Sequence, residues 1–306
     1  MQILMKMNTP VQTLLVPTDF TDKSRNAVNL AVQVALRHEA RMLITHTVPA
    51  NFIIDHTGRQ LIGGERVSQN VETAVRELRT LYEALTAEYP ALKLETRVTT
   101  GDVCDSLNEL ALELGADLII MGTSGVQKFK QALLGSHSYS VLNRAVCSVM
   151  LMPESRMQYE FKKILFPVRA VDHLALKMEF ALAIANRNES EISLMGVGNM
   201  DNMPAVRDAF LQMKEQLLHN AEYFNSKLVL TADNAEMISQ TTESESSDLV
   251  ILNFEDEMKW KSLFSENFFK KIINDTDTAL LFVKPQNPEP IPVDINSYDI
   301  TLPIPG

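Results

Sequence analysis

Positive charge, cysteine and long apolar runs are all scarce in this chain. Lys and Arg number 28 against 39 Asp and Glu, giving a net charge of −11 and a pI near 5.1. A partner that presents a phosphate backbone needs a basic face, so the balance speaks against nucleic acid. A small anion held by backbone N–H groups stays open. The two cysteines, Cys104 and Cys147, stand in no CxxC and no Cys/His cluster. That excludes a disulfide framework and a zinc site of ordinary spacing. The six histidines are scattered, with no H-x3-H pair. No apolar run approaches the ~20 residues that span a bilayer. The start, "MQILMKMNTPVQTLLVPTDF", has no cleavable signal pattern and runs into a first strand. The expectation is a soluble, cytoplasmic protein with no membrane partner.

What is present is an alternation of two periodicities. "TLLVPTDF" is an apolar strand, "DKSRNAVNLAVQVALRH" has helical spacing, and "RMLITHTV" is a second strand. A polar stretch holding "HTGRQLIGGE" leads to a long helix, "VSQNVETAVRELRTLYEALTAEY". Then come strand "LKLETRVTTGD", helix "DVCDSLNELALELG", strand "DLIIMGT", helix "SHSYSVLNRA" and strand "SVMLMP". Strands apolar on both sides, alternating with helices, mark a parallel sheet covered on both faces.

The order then repeats. "KKILFPVR" parallels "QTLLVPTD", "DLVILNF" parallels "DLIIMGT", and "TALLFVKP" parallels "CSVMLMPE". Pro17 and Pro167 stand 150 apart, whereas Asp102 and Asp233, Asp117 and Asp248, and Val149 and Leu280 stand 131 apart. The second copy is therefore 19 residues shorter, the loss falling between its second and third strands. Such self-similarity indicates duplication. The expected fold is α/β: two tandem doubly wound, Rossmann-like domains, each a mostly parallel five-stranded sheet with helices on both faces. The boundaries are 1–156, 157–288 and a proline-rich tail, 289–306, whose apolar residues suit packing on a surface.

In such a sheet ligands bind at the carboxyl ends of the strands. Two features fall there: "VPTDF", with Asp19, and "MGTSGVQKFKQALLGS", where Gly122, Gly125 and Gly135-Ser136 have the spacing G-x2-G-x9-G-S. Glycines permit close backbone approach to an anion, and Gly135-Ser136 opens a helix whose N–H groups favour phosphate. Asp19 can accept hydrogen bonds from ribose hydroxyls or an adenine amine. The plainer reading is a strand-to-helix turn with Ser136 and Asp19 as helix caps. It is no Walker A sequence, because no G-K-[ST] closes it.

The runs "VPTDFTDKSRNAVNLAVQVA" and "TTGDVCDSLNELALELGADLIIMGTSGVQKFKQALLGSHSYSVLNRAVCSVMLMP" resemble the universal stress protein (UspA) family across nearly all of the first copy. The resemblance implies an adenine nucleotide alpha hydrolase-like form of the Rossmann fold, and the glycine spacing matches the family's ATP-binding signature. It implies that Asp19 and the backbone of Thr47-Val48 hold the nucleoside. The roles of Gly122, Gly125, Gly135 and Ser136 would be ribose and phosphate binding, with Pro17, Thr18, Met121, Ser124 and His137 lining the site. The implied ligand is ATP, with or without Mg2+. The family's pairing through the last strand implies that "SVMLMP" and "ALLFVKP" face each other within the chain, and a homodimer is a further expectation.

The second copy departs from the signature at each of these positions. Gly122, Gly125, Gly135 and Ser136 correspond to Asn253, Asp256, Glu266 and Asn267, and Asp19 to Arg169. Carboxylates beside a triphosphate cost several kcal/mol at an effective dielectric of ~20. The first copy alone is expected to bind nucleotide, while Trp260, Phe264, Phe268 and Phe269 plug the second. No general base and nucleophile can be paired, so the expectation is a nucleotide-binding regulatory protein of the stress response. The alternatives are an interaction module with a vestigial site, or a slow ATPase. Cys104 opens a helix, where a thiol can be acidified; the alternative is an inert, half-buried thiol. His46 reads as a hydrogen-bonded core histidine.

Overall fold

The computed structural model describes residues 10–50, 53–54, 60–62, 64–124, 136–254 and 268–285. The first half runs β1 (Thr13–Pro17), α1 (Asp22–His38), β2 (Arg41–Val48), a hairpin of β3 (Ile53–Ile54) and β4 (Gln60–Ile62), and α2 (Gly64–Glu88). It continues with β5 (Lys93–Thr100), α3 (Val103–Leu114), β6 (Leu118–Thr123), α4 (Ser136–Arg144) and β7 (Ser148–Pro153). The second half runs β8 (Lys163–Val168), α5 (Leu174–Asn188), β9 (Glu191–Gly198), α6 (Met203–Asn220) and β10 (Tyr223–Leu230). It closes with α7 (Asn234–Ser244), β11 (Leu249–Asn253), α8 (Phe268–Asp275) and β12 (Ala279–Val283).

All ten long strands form one sheet, ordered β10-β9-β8-β11-β12-β7-β6-β1-β2-β5. Each half contributes five parallel strands in the same order, and the halves meet where β7 and β12 pair antiparallel, Leu151 opposite Leu280 and Val149 opposite Phe282. The two five-stranded sheets are thus joined into one continuous sheet through their last strands, which leaves neither of them as an open edge. The polar stretch after β2 also differs from a plain loop: it holds β3 and β4, and α2 starts at Gly64. Only α6 joins β9 to β10, which accounts for the shorter second copy.

The two offsets hold at the level of hydrogen bonds. The Asp117 carboxylate accepts from the N–H groups of Gln12 and Thr13, both at 2.8 Å. Asp248 accepts from those of Lys162 and Lys163, both at 2.9 Å. Asp102 caps α3 through the N–H groups of Cys104 and Asp105, and Asp233 caps α7 through Glu236. Both α1 and α5 end on a left-handed glutamate, Glu39 and Glu189. Alternate strand residues feed two cores. Leu14, Val16 and Ile120 pack under α1 and α2, while Leu15, Ile119 and Met121 pack under α3 and α4. Each fully buried aliphatic side chain contributes roughly 1.5–3 kcal/mol.

His38, in the last turn of α1, is buried beside a small cavity that Ile184 and Asn188 of α5 also line. Burial, then the charges of Arg187 and Arg37, push its pKa down to about 4. The unfolded chain takes up this proton near pH 6.5, so stability falls as pH drops from about 6.5 to 4 and the loss is complete below that. The expected loss is about 3 kcal/mol. Urea unfolding of the wild type and of His38→Leu across this range checks it: the substitution should flatten the slope by that amount, and identical profiles would refute the assignment.

Candidate functional site

The helices change faces between β1 and β6, with α1 and α2 on one side and α3 and α4 on the other. These two strands pair only at Leu14 with Leu118 and Leu15 with Ile119. The carboxyl ends beyond that point are the switch-point crevice by topology, the position where doubly wound sheets bind ligands.

Pro17 ends β1 beside Thr45 of β2. Thr18 is buried and anchored on both sides: its N–H donates to the Thr45 carbonyl at 2.8 Å, and its hydroxyl lies 3.1 Å from that of Ser24. Asp19 is exposed at the crevice. Its Oδ1 accepts from the Thr21 N–H at 3.2 Å and from the Thr21 hydroxyl at 2.5 Å, and its own N–H points to Ser24 Oγ at 3.3 Å. Partial burial raises the carboxyl pKa, but the hydrogen bonds of Thr21 and Ser24 outweigh it and hold the group below the usual carboxylate range. Asp19 is thus an ionised acceptor fixed in place by an Asx turn at the mouth of α1.

Two features here have no signal in the local sequence. Phe20 adopts a left-handed φ of 63°. Its ring stacks on His46 at 4.8 Å, and His46 Nδ1 lies 2.7 Å from the Thr18 carbonyl oxygen. His46 is the hydrogen-bonded histidine that its strand position indicates, and it also braces the turn carrying Asp19. At the end of β2, Thr47 Oγ1 meets Thr99 Oγ1 at 2.9 Å and the Val48 carbonyl accepts from the Gly101 N–H at 3.0 Å.

On the opposite wall Met121 and Gly122 are buried in β6, and Ser124 is exposed just after it. Gly122 has a packing reason to be glycine. A Cβ there would lie 2.2 Å from the Lys23 carbonyl oxygen and 2.7 Å from its carbon. Hence β6 abuts the backbone of α1's first turn, next to Asp19. Gly125 and Gly135 lie outside the described residues, as does the tail from 289. Ser136 and His137 open α4. The structure therefore brings together Pro17, Thr18, Asp19, Met121 and Gly122.

The equivalent positions of the second half make different contacts. Asn253 replaces Gly122, and its Nδ2 donates to the carbonyls of Asp172 and His173, each at 3.2 Å. His173 corresponds to Lys23 and has a left-handed φ of 57°. Arg169, in place of Asp19, lies over the Phe268 ring at 4.1 Å. Phe269 packs on Phe254, Phe268 and Phe282 at centroid distances of 5.2–5.5 Å. Trp260 and Phe264 lie outside the described residues.

The thiols offer no reactive alternative. Burial pushes Cys104 up despite the nearby Arg144 charge, and pushes Cys147 up to about 12. Cys104 is the inert thiol, because desolvation of the thiolate exceeds the helix-terminus effect. No helix among the described residues is long and apolar enough to cross a membrane.

Comparison with known proteins gives a consistent result. The sequence model of the universal stress protein family matches residues 10–153. A Staphylococcus haemolyticus relative carrying that family name is 24% identical over 152 residues, 49% of this chain and 90% of the relative. The crystal structure of a universal stress protein from Archaeoglobus fulgidus superposes with a TM-score of 0.70 at 15% identity, covering 92% of this chain and 100% of that one. A functionally unknown protein from Pseudomonas aeruginosa PAO1 gives 0.62 at 15% identity over 90% of this chain and 93% of its own. At these identities the structures speak to the fold.

Proposed function

From the match of residues 10–153 to the universal stress protein family, we propose that the first half binds an adenine nucleotide as a regulatory ligand, while the second half supports it without binding one. The carrying observation is the contrast between equivalent crevices. One presents an ionised Asp19 on a turn that Gly122 lets β6 approach closely. The other is closed by Asn253 and by Arg169 over Phe268. ATP fits the first of them in kind. A carboxylate at the end of β1 accepts from ribose hydroxyls or the adenine amine, and the N-terminus of α4 and the glycine stretch supply N–H groups for phosphate. A bound nucleotide would bring anionic phosphates to those N–H groups. Asp19, Thr18 and Ser24 would orient the nucleoside, and Met121 would give it an apolar wall.

The proposed domains are 1–156 and 157–288, followed by the tail. Their pairing through β7 and β12 would serve as an internal dimer, with any homodimer using another surface, in a cytoplasmic protein. The second reading, an interaction module with a vestigial site, draws on the commitment of Asp19 to Thr21.

Melting with and without millimolar ATP–Mg separates the two. At a thousandfold excess over Kd, binding adds about 4 kcal/mol and raises the melting temperature by several degrees. Asp19→Arg, which copies the second half, should cancel the shift. No shift in the wild type, together with no nucleotide released on denaturation, would sink the binding claim and leave the interaction module.

A further inference from the structure

A cleft of about 570 Å3 lies between the halves, bounded by Gln12, Asp117 and Ser148 on one side and Leu176, Glu179 and Lys284 on the other. The repeat offsets carry these positions to Lys162, Asp248, Ala279, Asn26, Asn29 and Pro153. At that equivalent place the chain itself sits. After β7 it folds back over the start of the sheet. Arg156 donates to Asp248 at 2.5 Å, and Asn26 Nδ2 donates to the carbonyls of Pro153 and Arg156 at 2.9 and 2.8 Å. The Tyr159 hydroxyl donates to Asn26 Oδ1 at 2.8 Å, and Arg37 donates to the Tyr159 carbonyl at 2.7 Å.

The segment after β12 starts at the matching point. Lys284 already lines the cleft, and Pro285 is the last residue described before 286–306. Carried across by 131, Arg156 becomes Asn287, Tyr159 becomes Pro290 and Glu160 becomes Ile291. The receiving helix has changed in step, because Asn26 becomes Leu176. The pair Tyr159 and Asn26, which hydrogen-bond, thus corresponds in sequence to an apolar pair, Pro290 and Leu176. In sequence Asn287, which also carries a donor, stands to Asp117 as Arg156 stands to Asp248. The prolines at 288, 290 and 292 favour an extended path and carry no N–H that would need a partner.

We infer that residues 286–292 of the chain's own tail occupy this cleft, forming the second of two symmetric clasps across the β7–β12 seam. This inference is independent of nucleotide binding. Its test is cysteine cross-linking in the full chain. Leu176→Cys with Pro290→Cys should form an intrachain disulfide under mild oxidation, seen as a reducible mobility change and as linked peptides in mass spectrometry. Asn26→Cys with Pro290→Cys, aimed at the clasp that Tyr159 fills, should form none. Should Leu176→Cys fail to fold, the exposed Glu179→Cys with Ile291→Cys carries the same test. Linkage no greater than in the Asn26 control overturns the inference. So does linkage found only between two chains, which would place a second copy's tail in the cleft.

Discussion

Gly122→Asn is expected to abolish the ATP-dependent rise in melting temperature while leaving the fold standing. The Cβ it adds would fall 2.2 Å from the Lys23 carbonyl oxygen, so the first turn of α1 must withdraw. The second half displays the outcome. Asn253 fills the gap by donating to the carbonyls of Asp172 and His173, and α5 begins at Leu174, whereas the equivalent of Asp22 is Asp172. Withdrawal would drag Asp19 with it, because the Asp19 N–H and the Thr18 hydroxyl are both held by Ser24 in that turn. Inserting the side chain should cost about 1–3 kcal/mol of stability, in line with overpacking elsewhere. The nucleotide should be weakened at least ~100-fold, roughly 2.8 kcal/mol. Titration calorimetry with ATP–Mg beside urea unfolding measures both quantities. Affinity within a few-fold of the wild type would mean that Gly122 serves helix packing alone.

This substitution also marks where the sequence is legible and where it is not. Strand and helix identities followed from periodicity, and the duplication from two constant offsets. Those offsets reappear as hydrogen bonds: Asp117 and Asp248 each clamp the start of a neighbouring strand, and Asp102 and Asp233 each cap a helix. The crevice was legible because strand order places Asp19 and Gly122 at one end of the sheet. The partner of Gly122 was not. Lys23 lies about a hundred residues away along the chain, and no local pattern records that its carbonyl meets β6. The stacking of Phe20 on His46 depends on a left-handed residue that is not glycine, a choice imposed by tertiary contacts. The β3–β4 hairpin escaped notice because strands of two and three residues carry too little alternation to register. The clasp built on Asn26 was equally hidden, since it ties α1 to a linker more than a hundred residues on.

That clasp sets the other large effect. Asp248→Ala is expected to cost about 3–5 kcal/mol, the range for breaking a buried ion pair on one side. Arg156 and Asp248 have side chains only 13% and 11% exposed. The carboxylate serves three donors at once: the Lys162 and Lys163 N–H groups at 2.9 Å and the Arg156 guanidinium at 2.5 Å. Its removal leaves a guanidinium with little access to water and two backbone N–H groups without their acceptor. Arg156→Met should cost less, because Asp248 keeps both backbone donors. The double substitution should cost no more than Asp248→Ala alone, because no buried charge is then stranded. Urea unfolding of the four proteins yields the coupling. A loss below about 1 kcal/mol for Asp248→Ala would place the pair with ordinary surface ion pairs. In all four proteins ATP affinity should be unchanged, since this contact fixes the second half's first strand and leaves the β1–β6 crevice intact.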